Sequence, residues 1–383
     1  MTELELTITA LAAGGDGVAR DAAGRVTFVP RTAPGDRVRA RLVRETASFA
    51  RGELVELVAA SPARVDPPCP AFAAGCGGCQ WLHVARAEQL AAKQAIVAGA
   101  LRKLPGLAIE PIADPCPPLG WRRRARFHVQ RGRLGLYAAS SHRVIALARC
   151  PQLAPALDAV LARVIAAAPP EGELALVLGH RGDIAIGAQR AWPGAAALVG
   201  GGVVGVVAGG VVHGEPVVEL EPGLLAGPLD FAQASAAGNA ALVARVASAL
   251  GPGPGRALEL HAGAGNFTRA LRAAGWDVTP SDAVAHDLPG LEAGTASDVL
   301  ARLPGPFDAI VLDPPRTGAA EATDGIARHA PRAIVYISCD PATLGRDAGR
   351  LVAAGYRAER AWPIDVMPQT AHVEVVLRLT RTS

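Results

Sequence analysis

The 383-residue sequence predicts an α/β protein whose carboxyl-terminal part holds a mostly parallel sheet with helices on both faces. Three observations lead to this fold class. From Phe231 onward, short apolar strands alternate with helical segments, which is the pattern of a parallel sheet. Before residue 60, short apolar runs alternate with turn glycines, which is typical of a small β-barrel. Between these regions, from Trp121 to Leu229, the chain is rich in strands.

Composition shifts divide the chain into three predicted domains. Residues 1–60 form the barrel, residues 61–229 form a strand-rich central domain, and residues 230–383 form the α/β domain. The prolines of Ser61-Pro62 and Pro67-Pro68 mark the first boundary, because proline interrupts regular structure. With 50% hydrophobic and 19% charged residues, the composition is that of a globular chain and excludes a disordered one.

Apolar runs and turn residues predict the elements in order. The barrel strands are expected near residues 4–8, 26–29, 38–43 and 52–58. Helical spacing predicts a helix over residues 84–104 and another over residues 151–168. In the α/β domain, strands are expected at residues 256–260, 276–280, 307–313 and 333–337, with a last strand after residue 371.

Charge and hydropathy limit the compartment and the partners. The net charge of +3 permits an anionic partner without demanding one. The amino terminus has no basic start followed by an apolar run, so we expect no signal peptide and a cytoplasmic location. Residues 194–212 are uncharged, but their glycine clusters between valine pairs predict strands joined by turns, not a membrane helix. We expect no membrane association and no obligate protein partner.

Three of the six cysteines lie close together, as Cys69, Cys76 and Cys79. In a cytoplasmic chain such a group indicates metal binding or catalysis, not disulfides. Three clustered cysteines with a remote fourth are typical of [4Fe–4S] sites, and four thiolates suit zinc equally well. Cys116 and Cys150 both stand beside proline, so local chemistry leaves the fourth ligand open between them.

A glycine-bearing turn follows the first strand of the α/β domain. Glu259 lies near the end of that strand, and Gly263 and Gly265 let backbone amides approach a bound nucleotide. Asn266 stands where a dinucleotide site has its third glycine. The acidic Glu259 favours the cationic tail of a cofactor such as S-adenosylmethionine, and Asp282, after the second strand, is placed to accept hydrogen bonds from ribose.

Two further strand ends carry reactive groups. Asp313-Pro-Pro-Arg316 presents Asp313 rigidly, and Cys339 follows an apolar strand, at the edge where open α/β sheets bind ligands. Cys339 is therefore a candidate nucleophile, against the alternative of a small packed hydrophobe. We expect Asp340-Pro341 to keep a helix from starting there, and predict the next helix from Leu344. Glu374 is either a solvated edge carboxylate or a buried proton acceptor.

Together these segments resemble the RNA 5-methyluridine methyltransferase family, in its iron–sulfur-containing bacterial branch. The resemblance covers nearly the whole chain. It rests on these motifs: Gly14-Gly-Asp-Gly-Val-Ala-Arg20, Phe28-Val-Pro30, the four cysteines with Arg149-Cys-Pro151, Gly120-Trp-Arg-Arg-Arg-Ala-Arg126, Phe231-Ala-Gln233, Asp313-Pro-Pro-Arg316, Ser338-Cys339 and His372-Val-Glu374.

The resemblance implies a small RNA-binding barrel of the TRAM type (OB-like), a central domain carrying a [4Fe–4S] cluster, and a Rossmann-like S-adenosylmethionine methyltransferase domain. It implies methylation of uracil carbon 5 through a covalent cysteine adduct, with RNA as partner and ribosomal RNA favoured over transfer RNA. The implied site residues are Cys339, Glu374 and Asp313 (catalytic); Gln233, Glu259, Gly263, Gly265, Phe267, Asp282 and Asp313 (cofactor); Cys69, Cys76, Cys79 and Cys150 (cluster); and Arg122, Arg123, Arg124 and Arg126 (RNA).

The chain departs from the family pattern at four places. Asp340 and Ser235 replace asparagines, the interval from Cys69 to Cys76 is one residue longer than expected, and residues 282–308 are short and rich in Gly and Ala. The last departure bears on adenosine contacts, including any made by Asp298. Two other functions stay open: an RNA-binding protein with a degenerate methyltransferase domain, and a nucleobase amino-methyltransferase, whose chemistry needs neither Cys339 nor Glu374.

Overall fold

The amino-terminal barrel is built from one six-stranded sheet. The computed structural model describes residues 2–382. The sheet has the order β1-β5-β6-β4-β3-β2. Thr9, just after β1, donates a backbone hydrogen bond to Val18 in β3 (2.8 Å), which joins the two sides of the sheet around a small apolar core and confirms the predicted barrel. The strands are β1 (Glu3–Thr7), β2 (Ala10–Leu11), β3 (Gly17–Arg20), β4 (Val26–Val29), β5 (Arg37–Glu45) and β6 (Phe49–Ala59).

Two helices and a short strand follow the barrel. They are α1 (Pro70–Ala73), α2 (Arg86–Leu101) and β7 (Ala108–Ile109). β7 pairs with the last-but-one strand of the carboxyl-terminal sheet, and the apolar side chains of α2 join the core of that sheet. This part of the predicted central domain is therefore packed with the α/β domain, a partition that composition alone does not reveal.

The central domain is a seven-stranded sheet covered on one face by a helix. Its order is β10-β9-β8-β11-β12-β13-β14. Residues 194–212 contribute strands here, as predicted, and no helix within residues 2–382 is long and apolar enough to cross a membrane. The elements are β8 (Arg124–Gln130), β9 (Arg133–Tyr137), β10 (Val144–Ala146), α3 (Pro155–Ala166), β11 (Gly172–Leu178), β12 (Ile184–Ala188), β13 (Val203–Ala208), β14 (Val211–Gly214), and the hairpin β15 (Val218–Glu221) and β16 (Leu224–Ala226).

The α/β domain is an eight-stranded sheet with the order β19-β18-β17-β20-β21-β23-β22-β7. Strands β17 to β21 are parallel, and β23 runs antiparallel between β21 and β22. The elements are α4 (Ala236–Leu250), β17 (Arg256–Leu260), α5 (Thr268–Ala273), β18 (Asp277–Asp282), β19 (Glu292–Ala293), α6 (Ala296–Arg302), β20 (Ala309–Leu312), α7 (Thr323–His329), β21 (Ala333–Ser338), α8 (Pro341–Ala353), β22 (Tyr356–Ile364) and β23 (Glu374–Arg381).

The short stretch after Asp282 has the expected structural consequence. Residues 283–291 join β18 to β19 without a helix, and β19 itself has only two residues. This edge of the cofactor domain is thus reduced, whereas the strands that carry Asp313 and Cys339 are fully buried in the sheet.

The expectation that Asp340-Pro341 prevents a helix from starting is wrong. Helix α8 begins at Pro341 itself, three residues before the predicted start. Proline is favoured at the first helical position because its missing N–H has no partner there in any case. Asp340 has extended backbone angles, and its Oδ1 accepts hydrogen bonds from the backbone N–H of Ala342 (3.0 Å) and Thr343 (2.9 Å). Asp340 is therefore the N-cap of α8.

Replacing Asp340 tests this capping role. Asp340→Ala should lower the free energy of unfolding by about 1 kcal/mol, because the two N–H groups lose their acceptor. Asp340→Asn keeps the acceptor oxygen and should leave the stability close to that of the wild type. Urea denaturation of the three proteins measures the difference. Equal stability of the Ala and Asn variants would show that the cap contributes nothing.

Candidate active site

The acidic and thiol groups predicted from separate motifs come together at one edge of the α/β sheet. Glu259 and Asp282 lie at or near the carboxyl ends of β17 and β18, Asp313 follows β20, and Cys339 follows β21. Because these strands are parallel and paired in register, their carboxyl ends lie side by side. Glu374 opens the antiparallel β23 and so reaches the same edge from the other direction.

Strand pairing places the candidate nucleophile beside the candidate base. Ser338 is paired with Val375, so Cys339 and Glu374 are neighbours at the end of this ladder. Cys339 is partly exposed, whereas Glu374 is only 5% exposed. Burial, and next the Glu374 carboxylate, raise the pKa of the Cys339 thiol to about 11, while Arg316 lowers it. The thiol is accessible, but it is mostly protonated at neutral pH.

The carboxyl groups of Asp313 and Glu374 interact closely. Burial raises the pKa of Asp313, and burial and the nearby Asp313 together raise the pKa of Glu374, against a smaller opposing effect of Arg316. Since two like charges are held close in a poorly solvated place, the pair retains a proton near neutral pH. Glu374 is thus a buried carboxyl group with a raised pKa, not a solvated edge carboxylate, and its role as a proton acceptor stays a prediction.

Arg316 is oriented by His372. The Arg316 Nη2 lies 3.2 Å from the His372 Nε2. Burial, and next the charge of Arg316, lower the pKa of His372 to about 4, so the imidazole is neutral at pH 7 and Nε2 accepts the hydrogen bond. No local signal in the sequence pairs Arg316 with His372.

The glycine turn after β17 has the open backbone that its sequence predicts. Gly263 and Gly265 have φ values of +54° and +84°, and a side chain at Gly263 would point into open space. Asp282 Oδ2 accepts from the Gly263 N–H at 2.9 Å, which fixes the turn against the second strand. The turn is therefore held open and presents backbone beside the sheet edge.

Glu259 lies beneath this turn with one oxygen unused. It is 1% exposed; Oε2 accepts a hydrogen bond from the Thr268 hydroxyl (2.5 Å), while Oε1 has no partner within residues 2–382. Burial raises the pKa of Glu259 to about 8. The buried Nε2 of His261, which follows the same strand, also has no partner in the described part of the chain. Orphaned buried polar atoms next to an open turn fit a site that a polar, cationic ligand completes.

The other predicted cofactor residues differ in their surroundings. Phe267 is 3% exposed and packs in the core with Leu271 and Trp276, so its observed role is to support the turn. Gln233 is half-buried before α4, and its backbone carbonyl accepts from Arg123 Nε at 3.1 Å. Within residues 2–382, its side-chain amide forms no hydrogen bond, so no internal contact occupies it.

Sequence reasoning missed an amide pair that links α4 to the glycine turn. Asn239 and Asn266 donate to each other's side-chain oxygens at 2.9 and 2.8 Å, and Asn239 also donates to Glu221. The sequence marks Asn266 only as the residue at the position of a third glycine. No local signal pairs it with Asn239, which lies in helix α4.

Four of the six cysteines line one cavity in the central domain. Cys69, Cys76, Cys79 and Cys150 all border it, together with Arg122. Cys116 lies elsewhere, buried with its Sγ 3.0 Å from the Ser235 hydroxyl. Within residues 2–382, no three His, Cys, Asp or Glu side chains are grouped so as to hold a metal ion. Local chemistry left the fourth cysteine open between Cys116 and Cys150. In the fold, Cys150 lines the cavity with the other three cysteines and Cys116 does not.

The arginine group predicted to contact RNA is only partly available. Arg123 is 4% exposed and binds the Leu220 carbonyl and Glu221, so its assignment to RNA binding is wrong: its charge is used inside the fold. Arg122 borders the cysteine cavity. Arg124 is half-buried and Arg126 is exposed; both lie on the outer face of β8 and reach the backbone before the exposed Phe231.

Comparison with known proteins identifies the family to which a chain with these features belongs. The fold and the site define a class, methyltransferases with a Rossmann-like domain. A family model described as TRAM domain matches residues 2–55, and one described as tRNA (Uracil-5-)-methyltransferase matches residues 305–382. The crystal structure of Pyrococcus abyssi tRNA (uracil-54, C5)-methyltransferase in complex with S-adenosyl-L-homocysteine covers 98% of this chain and 100% of its own, with a TM-score of 0.78 and 21% identity, a likeness that shows the fold.

Curated relatives extend over the whole chain. The 23S rRNA (uracil(1939)-C(5))-methyltransferase RlmD of Edwardsiella ictaluri is 35% identical over 97% of this chain and 94% of that protein. The protein of the same name from Halomonas elongata is 35% identical over 98% of this chain and 89% of its own. The chain belongs to the RNA uracil-5-methyltransferase family, and its activity is the transfer of a methyl group from S-adenosylmethionine to carbon 5 of uridine in RNA.

The influence of Arg316 on the thiol can be measured directly. Because the pKa of Cys339 is raised, its alkylation by iodoacetamide should accelerate about tenfold per pH unit between pH 7 and 9. Arg316→Gln removes the cation that favours the thiolate and should slow alkylation at pH 8.5 by about 3- to 10-fold. Peptide mapping by mass spectrometry follows Cys339 among the six cysteines.

Arg332→Gln is the control, because the exposed Arg332 lies before the start of β21, at the opposite edge of the sheet, and pairs with Asp308. It should alkylate like the wild type. Equal or faster alkylation of Arg316→Gln would contradict the electrostatic role.

Proposed function

We propose that this enzyme methylates a uridine of 23S ribosomal RNA through a covalent bond between Cys339 and the base. The observation that carries the mechanism is the convergence of a partly exposed thiol, the buried Glu374 carboxyl group with the half-buried Asp313, and an arginine bound to His372 at one sheet edge. The substrate is supported by relatives of this name that align over nearly the full chain.

Uracil carbon 5 is a weak nucleophile, and the thiol is needed to activate it. In the proposed first step, the Cys339 thiolate adds to carbon 6, and the electrons of the 5,6 double bond move to form an enolate. Arg316 favours the thiolate over the thiol. S-adenosylmethionine would supply an electrophilic methyl group: carbon 5 of the enolate would give its electron pair to the methyl carbon, and the methyl–sulfur bond would break to leave S-adenosylhomocysteine.

The adduct must then lose the proton that remains on carbon 5. Glu374 is placed beside Cys339 to accept it, and its raised pKa makes it an adequate base near neutral pH. The electrons of the C–H bond restore the double bond as the thiolate leaves, which frees methyluridine. Asp313, which holds the shared proton when Glu374 is ionised, would donate a hydrogen bond to the uracil edge, with Gln233 beside it or on the cofactor's amino acid end.

The cofactor is assigned to the open turn and its surroundings. Gly263 and Gly265 would let the backbone approach, Phe267 supports the turn from below, and Asp282 would receive the ribose hydroxyls. The unused oxygen of Glu259 supports its predicted role at the cationic end. Asp298 Oδ2 accepts from the Thr295 hydroxyl at the start of α6, and an adenosine contact by Asp298 stays a prediction.

RNA would enter across the barrel and the outer face of the central sheet. Arg124 and Arg126 are the members of the predicted basic group that remain at or near the surface, and they flank the exposed Phe231 close to Gln233. The target base must leave its stack to reach Cys339, which is easier in a single-stranded loop.

We assign a [4Fe–4S] cluster to the cysteine cavity. The chemistry of its donors fits, because three thiols from one short segment and the remote Cys150 thiol line one space. Four thiolates suit zinc equally well by ligand type, and the resemblance to the iron–sulfur-containing branch favours the cluster. Nothing in the proposed reaction passes through the cluster.

A stalled adduct tests the reaction. Transcribed 23S rRNA fragments that contain 5-fluorouridine should form a covalent complex with the wild-type enzyme and S-adenosylmethionine, because fluorine cannot be removed as a proton. A denaturing gel resolves the complex. Glu374→Gln should stall on ordinary uridine as well, with turnover reduced at least about 100-fold.

The adduct should be absent in Cys339→Ala and present in Cys116→Ala, the matched control outside the active site. An adduct with transfer RNA but not with ribosomal RNA would overturn the proposed substrate. Failure of both RNAs would overturn the mechanism.

The cysteine assignment has its own test. After anaerobic purification, the protein should contain about four iron and four sulfide per chain and absorb visible light. Cys150→Ala should lose iron and sulfide, whereas Cys116→Ala should retain both. Zinc in place of iron would refute the cluster, and the opposite behaviour of the two variants would refute the choice of ligand.

A further inference from the structure

We infer that helix α2 carries positioning residues for the reaction: Arg86, Gln89 and Lys93 hold the loop of residues 365–373 and thereby the carboxylate of Glu374. This inference rests on the proposed role of Glu374 as the base. It assigns a task to a helix that lies outside the methyltransferase part of the sequence and that no motif of the chemistry marks.

The loop leads directly into Glu374, the first residue of β23. It joins β22 to β23, and Ile364 at its start pairs with Glu374 at its end. Its nine residues form no helix or strand, and Gln369 within it has a φ of +66°. Since the strand pairs end at Glu374, the contacts of the loop decide how the base and the neighbouring His372 are presented.

Lys93 binds two residues at the start of the loop. Its Nζ lies 2.6 Å from Asp365 Oδ1 and donates to the Met367 carbonyl at 3.1 Å. Both charged side chains are 0% exposed. Asp365 Oδ1 also accepts from the Met367 N–H at 3.0 Å, and Arg86 binds the other oxygen of the same carboxylate. The carboxylate is thus surrounded by donors from both the helix and the loop.

Gln89 lies one helical turn before Lys93 on the same face of α2. It forms hydrogen bonds with the middle of the loop. Its Nε2 donates to Gln369 Oε1 at 2.8 Å, and its Oε1 accepts from the Gln369 N–H at 3.0 Å. The same amide donates to the carbonyls of Trp81 and Val84. Trp81 in turn donates its N–H to the Gln369 carbonyl at 3.0 Å. The loop is held on both sides at its one residue with positive φ.

The choice of residue at position 93 supports a specific role. Lys93 and Lys103 are the only lysines among the 38 basic Lys and Arg residues of the chain. A compact ammonium with three donors satisfies one carboxylate oxygen and one carbonyl in a space closed to solvent. A fully buried ion pair is weak evidence for added stability, because desolvation offsets the attraction. Its contribution here is to fix the loop.

A loosened loop is expected to slow one particular step of the reaction. A displaced Glu374 slows removal of the carbon 5 proton but leaves the attack of Cys339 on carbon 6 intact. A misplacement of about 1 Å costs on the order of 100-fold in rate. Covalent methylated RNA should therefore accumulate on ordinary uridine, a signature that general destabilisation does not produce.

Lys93→Met is the principal variant and Lys103→Met the matched control, since Lys103 is exposed at the end of α2. With uridine-containing RNA and S-adenosylmethionine, Lys93→Met should turn over about 100-fold more slowly and show the stalled adduct on a denaturing gel. With 5-fluorouridine RNA, its adduct should form at a rate within about threefold of the wild type. Lys103→Met should match the wild type in both assays.

Gln89→Met keeps the inference testable if Lys93→Met does not fold, because it removes the contacts with Gln369 and leaves the ion pair in place. It should show the same stalled adduct. Normal turnover of either folded variant overturns the inference, as does slow turnover without a stalled adduct. No adduct of the wild-type protein with 5-fluorouridine RNA would instead overturn the proposed function on which the inference rests.

Discussion

The antiparallel pairing of β21 with β23 is the contact on which the active site depends. It brings Glu374 beside Cys339, although 35 positions separate them in the chain. The parallel pairing of β20 with β21 sets Asp313 at the same edge. These registers are fixed because the strand interiors are fully buried, and a slip by one residue would turn apolar side chains outward. The chemistry is therefore positioned by the same burial that stabilises the sheet.

The same burial makes the charged forms of the groups in the site energetically unfavourable. A thiol, two carboxyl groups and an imidazole lie close together, and the pKa of each is moved toward its neutral form. Arg316 is the cation among them, and it opposes the shifts of the thiol and of Glu374. Groups held neutral in the resting protein can change charge as substrate arrives, which is a common property of catalytic sites.

The three domains meet at Trp81, directly after the cysteine segment. Its indole N–H donates to the Gly15 carbonyl of the barrel at 2.9 Å, and its backbone N–H donates to Gln369 in the loop before Glu374. The ring is fully buried with Leu11 of the barrel and Ala371 of the loop. The segment that carries Cys76 and Cys79 is therefore continuous with the contacts that join the amino-terminal barrel to the loop before Glu374.

The sequence by itself determined the local features: the strand pattern, the glycine turn, the strand-end positions of Asp313 and Cys339, and the cysteine group. These depend on neighbours in the chain, whose periodicity and backbone preferences are readable. The resemblance implied Cys150 as the fourth cysteine, and in the tertiary structure Cys150 lines one cavity with the other three while Cys116 lies apart. Tertiary structure alone decided that Arg123 is buried and that α2 and β7 belong to the α/β domain. It also decided the protonation of Glu374 and the pairing of Lys93 with Asp365, because burial and long-range contacts arise only when distant segments pack together.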